Sequence, residues 1–265
     1  MSGTKITKLN VFTAFSGYDS QCLALDRLAK NFPDQFGYEL VGWSEIDKNA
    51  IKAHNAIYPQ WADRNYGDIS KIDWAQVPDF DLFTYSSPCQ DFSQAGKQAG
   101  GEKGSGTRSS LLWECERAIT AKKPKYCVFE NVAALVSSKF VRMFNEWQLT
   151  LDRLGYSNYA AVLNAKNFDI PQNRARVFLV SVYGGGKYEF PKPQKLTRRL
   201  KDCLEEVVDE QYYVTGERLH NMIKRSEAEK KRGNGFEFKP IGGDNIAHTI
   251  KTAPAHKKTD NYIIR

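Results

Sequence analysis

Over the first 183 residues, short apolar runs alternate with longer stretches in which apolar residues recur every three or four positions. The runs Lys8–Ala14, Glu39–Ser44, Asp81–Tyr85, Tyr126–Glu130, Tyr156–Asn164 and Arg176–Val182 predict strands. The stretches Ser20–Asn31, Asp47–Ile57, Ser109–Ala121 and Ser138–Leu154 predict helices, with Asp47 as an N-cap and Gly155 as a helix stop. Such alternation is the pattern of a parallel sheet wrapped by helices, an α/β fold. Gly184-Gly185-Gly186 then breaks the rhythm, and the periodicity beyond it is poor. Residues 1–183 therefore read as one domain and 184–265 as a second, smaller and mixed one, in which Tyr212-Tyr213-Val214 and Tyr262-Ile263-Ile264 are still strand-like.

Composition narrows the class. The five cysteines (Cys22, Cys89, Cys115, Cys127, Cys203) are scattered and form no CxxC pair, which argues against a disulfide framework and a structural zinc site. No apolar run approaches membrane-spanning length and the N-terminus lacks a signal-peptide hydrophobic region, so a soluble cytoplasmic protein with no membrane partner is expected. Net charge is +7, and residues 184–265 hold 17 basic against 12 acidic side chains. That imbalance suggests a polyanionic partner for the smaller domain, although many solvated surfaces look the same.

Ser86-Ser87-Pro88-Cys89 places a thiol at the carboxyl end of the strand Asp81–Tyr85, where open α/β sheets keep their chemistry. The same position would also suit a small apolar side chain closing the strand end. Phe15-Ser16-Gly17 forms a tight turn between the first strand and the first helix, open to a ligand at the helix N-terminus or simply a connection. Glu45 ends the second strand, where doubly wound folds put a carboxylate on ribose hydroxyls, and Asp68 follows a third short strand, where it could accept an adenine amino hydrogen. Their joint placement points to an adenosine-type cofactor. Glu130 lies at the end of Tyr126–Glu130, which should neighbour the Cys89 strand and bring a proton-passing carboxyl near the thiol. Arg174 and Arg176, at alternating positions entering a strand, should point the same way and suit a phosphate or a base carbonyl.

Phe15-Ser16-Gly17, Glu45, Gly67-Asp68-Ile69, Ser87-Pro88-Cys89-Gln90, Glu130-Asn131-Val132 and Gln172-x-Arg174-x-Arg176 occur in the order seen in cytosine-5 DNA methyltransferases, a family the chain resembles over roughly residues 8–183. The resemblance implies a Rossmann-like sheet that binds S-adenosylmethionine through Phe15, Gly17, Glu45, Ile46, Asp68, Ile69, Pro88 and Leu111. The segment Thr107-Arg108-Ser109-Ser110-Leu111 matches the part that closes over the methionine end. It also implies Cys89 as the nucleophile on cytosine carbon 6, Glu130 on the ring nitrogen, Arg176 on the exocyclic carbonyl and Arg174 in support. Double-stranded DNA is then the partner, with its target base flipped out. The glycine-rich loop Asp91–Thr107 would close over it, and residues 184–262 would read the sequence.

Two departures from the family pattern stand out. Asp19 and Ser20 occupy positions that usually hold further glycines, so altered turn geometry is expected with binding retained. The chain also stops at Arg265 without the family's last conserved segments, which predicts a fragment or a split enzyme with a complementary polypeptide. Two alternatives compete: a catalytically incomplete DNA-binding half, and an RNA cytosine-5 methyltransferase. Gln90-Asp91-Phe92-Ser93 after the Pro-Cys pair favours DNA.

Overall fold

The structure, a computed structural model, describes residues 7–88, 108–233, 238–250 and 261–264. Cys89, Thr107 and the loop Asp91–Thr107 lie outside the described residues. The chain divides into two compact units, Met1–Val162 with Arg176–Phe190, and Leu163–Ala175 with Pro191–Arg265. This division runs through the Gln172–Arg176 motif and assigns Leu163–Ala175 to the smaller unit, whereas the sequence pattern suggested one break after residue 183.

In the larger unit the chain runs β1 (Thr7–Ala14), α1 (Ser20–Asn31), β2 (Phe36–Ser44), α2 (Lys48–Ile57), β3 (Leu82–Tyr85), α3 (Glu114–Lys122), β4 (Tyr126–Val132), α4 (Val141–Arg153) and β5 (Tyr156–Asn164). Two strands follow, the short β6 (Gln172–Asn173) in the smaller unit and β7 (Ala175–Tyr183) back in the sheet. The sheet order is β2-β1-β3-β4-β7-β5. Strands β2, β1, β3 and β4 are parallel to one another, with Ala14 opposite Tyr85 and Tyr85 opposite Phe129. The exception is β7, antiparallel to β4. The chain between β5 and β7 holds only a 3-10 turn, Ala165–Phe168, and β6. A parallel return would need a crossover helix there.

Alternation along the strands builds a core on each face. Val11 and Leu82 face one way with Leu40, Trp43, Cys22 and Tyr58. Phe12 and Phe83 face the other way with Tyr85, Phe129, Ile119 and Trp147. On this second face the rings of Phe83 and Tyr85 lie 4.9 Å apart and those of Tyr85 and Phe129 5.3 Å. The indole N–H of Trp147 donates to the Tyr85 hydroxyl at 3.2 Å, so the one polar atom of that ring is satisfied in the interior. Gly155 follows α4 with φ +92°, the conformation the helix stop requires.

In the smaller unit β6 pairs with β8 (Ala247–His248), and Ile241 bridges Ile263. Asp169 ties two segments together by accepting from the backbone N–H groups of Thr197 at 2.7 Å and Arg198 at 3.0 Å. These two N–H groups, Arg198 first, hold its carboxyl below the ordinary range. Helix α5 (Gly216–Lys231) has no sequence expectation, and the strand-like Tyr212-Tyr213-Val214 lies instead at the 3-10 turn Glu210–Tyr212. Met222 is its one buried residue, so α5 carries no apolar stripe to betray its period.

Candidate active site

The carboxyl ends of β1, β2, β3 and β4 lie side by side in the larger unit and bring Phe15, Glu45, Pro88 and Glu130, which follow or end them, to one end of the sheet. The turn after β1 is backbone-strained. Phe15, Gly17 and Asp19 have φ of 56°, 60° and 65°, of which only the glycine is at ease. A Cβ on Gly17 would meet nothing within 4 Å, so the space over the turn is open and its glycine serves conformation.

Glu45, half-buried, directly follows β2 and gathers three backbone donors. The Gly17 N–H donates to Oε2 at 2.9 Å, and the N–H groups of Ile46 and Asp47 donate to Oε1 at 2.8 and 2.9 Å. A carboxylate has about four acceptor sites, so about one is left for an external hydroxyl. Asn65 clamps this corner, accepting from the N–H groups of Glu45 at 3.2 Å and Gly67 at 2.9 Å and donating to the Glu45 carbonyl at 3.1 Å. The third short strand expected before Asp68 is only a bridge between Trp43 and Asn65, because side-chain hydrogen bonds replace a ladder there. Asp68 caps the 3-10 turn Ile69–Lys71. The Ser70 hydroxyl and then the Ser70 N–H hold its carboxyl below the ordinary range. Both bonds go to Oδ1, leaving Oδ2 with Lys71 Nζ at 3.8 Å. Ile46 is 67% exposed, an apolar side chain beside two acids with nothing covering it, whereas Ile69 is buried.

At the ends of β3 and β4, Asn131 donates to the Ser87 carbonyl at 3.1 Å and to its hydroxyl at 3.4 Å, with both residues buried. This cross-strand tie fixes the segment that leads through half-buried Pro88 to Cys89. Glu130 Oε1 accepts from Arg176 Nε at 3.0 Å, with 28% and 16% of the two side chains exposed. Arg174 lies just outside the strand that carries Arg176. It precedes β7, belongs to the smaller unit, and its backbone N–H donates to Asn164 Oδ1 at 3.0 Å. Leu111 lies half-buried on the 3-10 turn Arg108–Trp113. Asn65, in a loop, and Asn131, near the end of β4, complete this site, and the sequence showed neither role, since an asparagine carries no signal until its partners are adjacent. Among the described residues no group of His, Cys, Asp and Glu could hold a metal.

Burial pushes the thiols of Cys22, Cys115 and Cys127 up, with the Asp19 charge adding to the effect at Cys22. A protonated, buried thiol is inert. Brief alkylation of native protein at pH 8 should therefore label exposed Cys203 and spare these three until the chain is denatured, as peptide mass mapping would show.

Residues 10–263 match the family model described as C-5 cytosine-specific DNA methylase. The chain is 39% identical over 258 residues to type II methyltransferase M2.ScrFI of Lactococcus lactis subsp. cremoris, covering 78% of this chain and 70% of that protein. It is 33% identical over 272 residues to orphan methyltransferase M.Rho11sI of Bacillus phage rho11s, covering 91% of this chain and 52% of that one. The solved structure of the Entamoeba histolytica methyltransferase EhMeth superimposes with a TM-score of 0.66 at 19% identity, over 91% of this chain and 69% of that chain. A mostly parallel α/β sheet with an acid-lined edge thus defines a methyltransferase fold. The chain belongs to the C-5 cytosine-specific DNA methylase family. It spans between about half and 70% of the length of these two relatives. Among the described residues no helix is long and apolar enough to cross a membrane.

Proposed function

We propose that this chain methylates carbon 5 of a cytosine in duplex DNA, using S-adenosylmethionine and a covalent adduct on Cys89. The observation that carries the reading is the Glu130–Arg176 ion pair at the end of β4, beside the strand that leads to Cys89. Family membership supports the reaction class, and the relatives' names supply the word methyltransferase.

The residues suit the chemistry. Carbon 5 of cytosine is a poor nucleophile because the ring is electron-poor. Attack by the Cys89 thiolate on carbon 6 forms the sulfur–carbon bond and pushes the 5,6 electron pair into the ring, leaving carbon 5 enamine-like. Glu130 would share a proton with the ring nitrogen and stabilise the charge that attack creates, while Arg176 holds that carboxyl in place. The exocyclic carbonyl would take a second donor from the Arg176 guanidinium, and Arg174 would serve a nearby phosphate. When bound, S-adenosylmethionine supplies an electrophilic methyl group from its sulfonium. After transfer, a base removes the carbon 5 proton, the 5,6 double bond re-forms and the Cys89 thiolate leaves.

The donor-binding residues follow from the same edge. The remaining Glu45 lone pair fits a ribose hydroxyl, Asp68 Oδ2 fits an adenine amino group, and the exposed Ile46 offers an apolar face to a base. Phe15, Gly17, Ile69, Pro88 and Leu111 would complete the pocket. The target base must leave the duplex to reach a thiol at a strand end.

The test is incorporation of labelled methyl groups by the purified chain into duplex DNA and, in parallel, into tRNA. Label recovered as 5-methylcytosine from DNA is the expected result. Label confined to tRNA, or absent from both substrates, would overturn the proposal.

A further inference from the structure

The larger unit buries an acid and a histidine that the reaction above does not use. Asp19 and His54 are both fully buried, with Nε2 of His54 3.6 Å from Oδ2 of Asp19. Asp19 is the N-cap of α1 and adopts φ 65° where the family usually has glycine. Its Oδ2 accepts from the Thr13 hydroxyl at 2.7 Å, its Oδ1 from the Cys22 N–H at 3.3 Å, and its own N–H donates to the Ser16 carbonyl at 2.8 Å. The hydroxyls of Thr13 and Ser16 are 2.9 Å apart. His54, on α2, stacks on Trp43 with ring centroids 3.7 Å apart, and its Nε2 makes no hydrogen bond among the described residues.

A bulky residue such as Phe15 at positive φ is strained, and strain of this kind persists only where the surroundings over-determine it. Here the Asp19 carboxylate does so. It grips the end of β1 through Thr13 and the first turn of α1 through Cys22, while the Asp19 backbone N–H holds the carbonyl of Ser16. A buried carboxylate needs a compensating group, and His54 is the basic side chain within ion-pair reach of it among the described residues. Stacking on Trp43 fixes the ring that faces the acid. We propose that Asp19 and His54 are a buried positioning pair that holds the Phe15–Asp19 turn, and with it the Gly17 N–H and Glu45, in the shape that grips the adenosyl donor. This rests on reading that turn as the donor-binding loop.

Calorimetric titration with S-adenosylhomocysteine tests the pair without requiring turnover. Asp19→Asn keeps a cap acceptor and tolerates the left-handed conformation but removes the charge. His54→Leu keeps an apolar body but removes the nitrogen. Each should weaken binding of S-adenosylhomocysteine about tenfold while leaving duplex binding, measured without the donor, unchanged. His54→Gln, whose amide nitrogen can stand where Nε2 does, should restore affinity to within about threefold of wild type. Should His54→Leu fail to fold, Asp19→Asn decides the matter alone. Wild-type affinity in Asp19→Asn, His54→Gln as weak as His54→Leu, or a parallel loss of duplex binding would each overturn the proposal. Wild-type protein that does not bind S-adenosylhomocysteine would overturn the reading of the turn itself, an outcome distinct from unchanged variants.

Discussion

Cys89→Ala protein should lose methyl transfer by at least about a thousandfold while still binding duplex DNA, the loss that follows removal of a nucleophile in covalent catalysis. No described thiol of the larger unit can replace it. Cys22, Cys115 and Cys127 are buried and pushed up towards the protonated form, and Cys203 lies in the smaller unit. The sharper readout is an adduct. In a duplex with 5-fluorocytosine at the target, fluorine replaces the proton that must leave carbon 5, so the thiolate cannot be released and the protein stays attached. Wild-type chain given the methyl donor should form a complex that survives denaturing gel electrophoresis. Cys89→Ala should form none. An adduct of equal yield in the variant would remove Cys89 from the mechanism, and free duplex in both would remove covalent chemistry.

The strands were legible because the chemistry that makes them is local. Val11, Phe12, Leu82 and Phe83 belong to runs with no solvent face, and burial on both sides of a sheet writes itself as consecutive apolar residues. Helix α1 runs over Ser20–Asn31 as its period predicts, and Asp47 caps α2 by accepting from Asn49 and Ala50. What failed was non-local. The reversed direction of β7 depends on a connection too short for a crossover, and the strand residues themselves look the same in either direction. Arg174 and Arg176 read as a pair entering one strand, but β7 begins at Ala175, between them.

The site was legible as residue types at strand ends and illegible as partnerships. Glu45 announces itself as an acid after an apolar run and Asp68 as an acid after a glycine turn, but which oxygens remain open depends on Gly17, Asn65 and Ser70. Asp19 read as a departure from the family's glycine that alters the turn geometry with binding retained. Its burial against Thr13 and His54 shows a different solution to the same turn, with side-chain anchoring in place of backbone freedom.

Glu130→Gln and Arg176→Ala should each lower the rate of a single methyl-transfer turnover by about a hundredfold, the scale of losing a proton donor or an oriented charge. Strand register explains why the two belong together. Across β4 and β7, Glu130 lies opposite Phe178 and Val132 opposite Arg176, so the acid and the guanidinium are diagonal neighbours on one face. Long side chains bridge that spacing, and here the bridge closes at 3.0 Å. If Arg176 works chiefly by holding Glu130, then once the acid is gone the arginine has little left to hold. The double variant should then be only a few-fold slower than either single one, not about ten-thousandfold slower than wild type. Arg176→Lys separates orientation from charge, because an ammonium keeps the positive charge but cannot present the planar Nε–H that reaches Oε1. It should fall between wild type and Arg176→Ala, with duplex affinity unchanged in all four proteins. Multiplicative losses in the double variant would mean that the two residues act on the base independently, and the exocyclic carbonyl rather than Glu130 would then be the chief partner of Arg176.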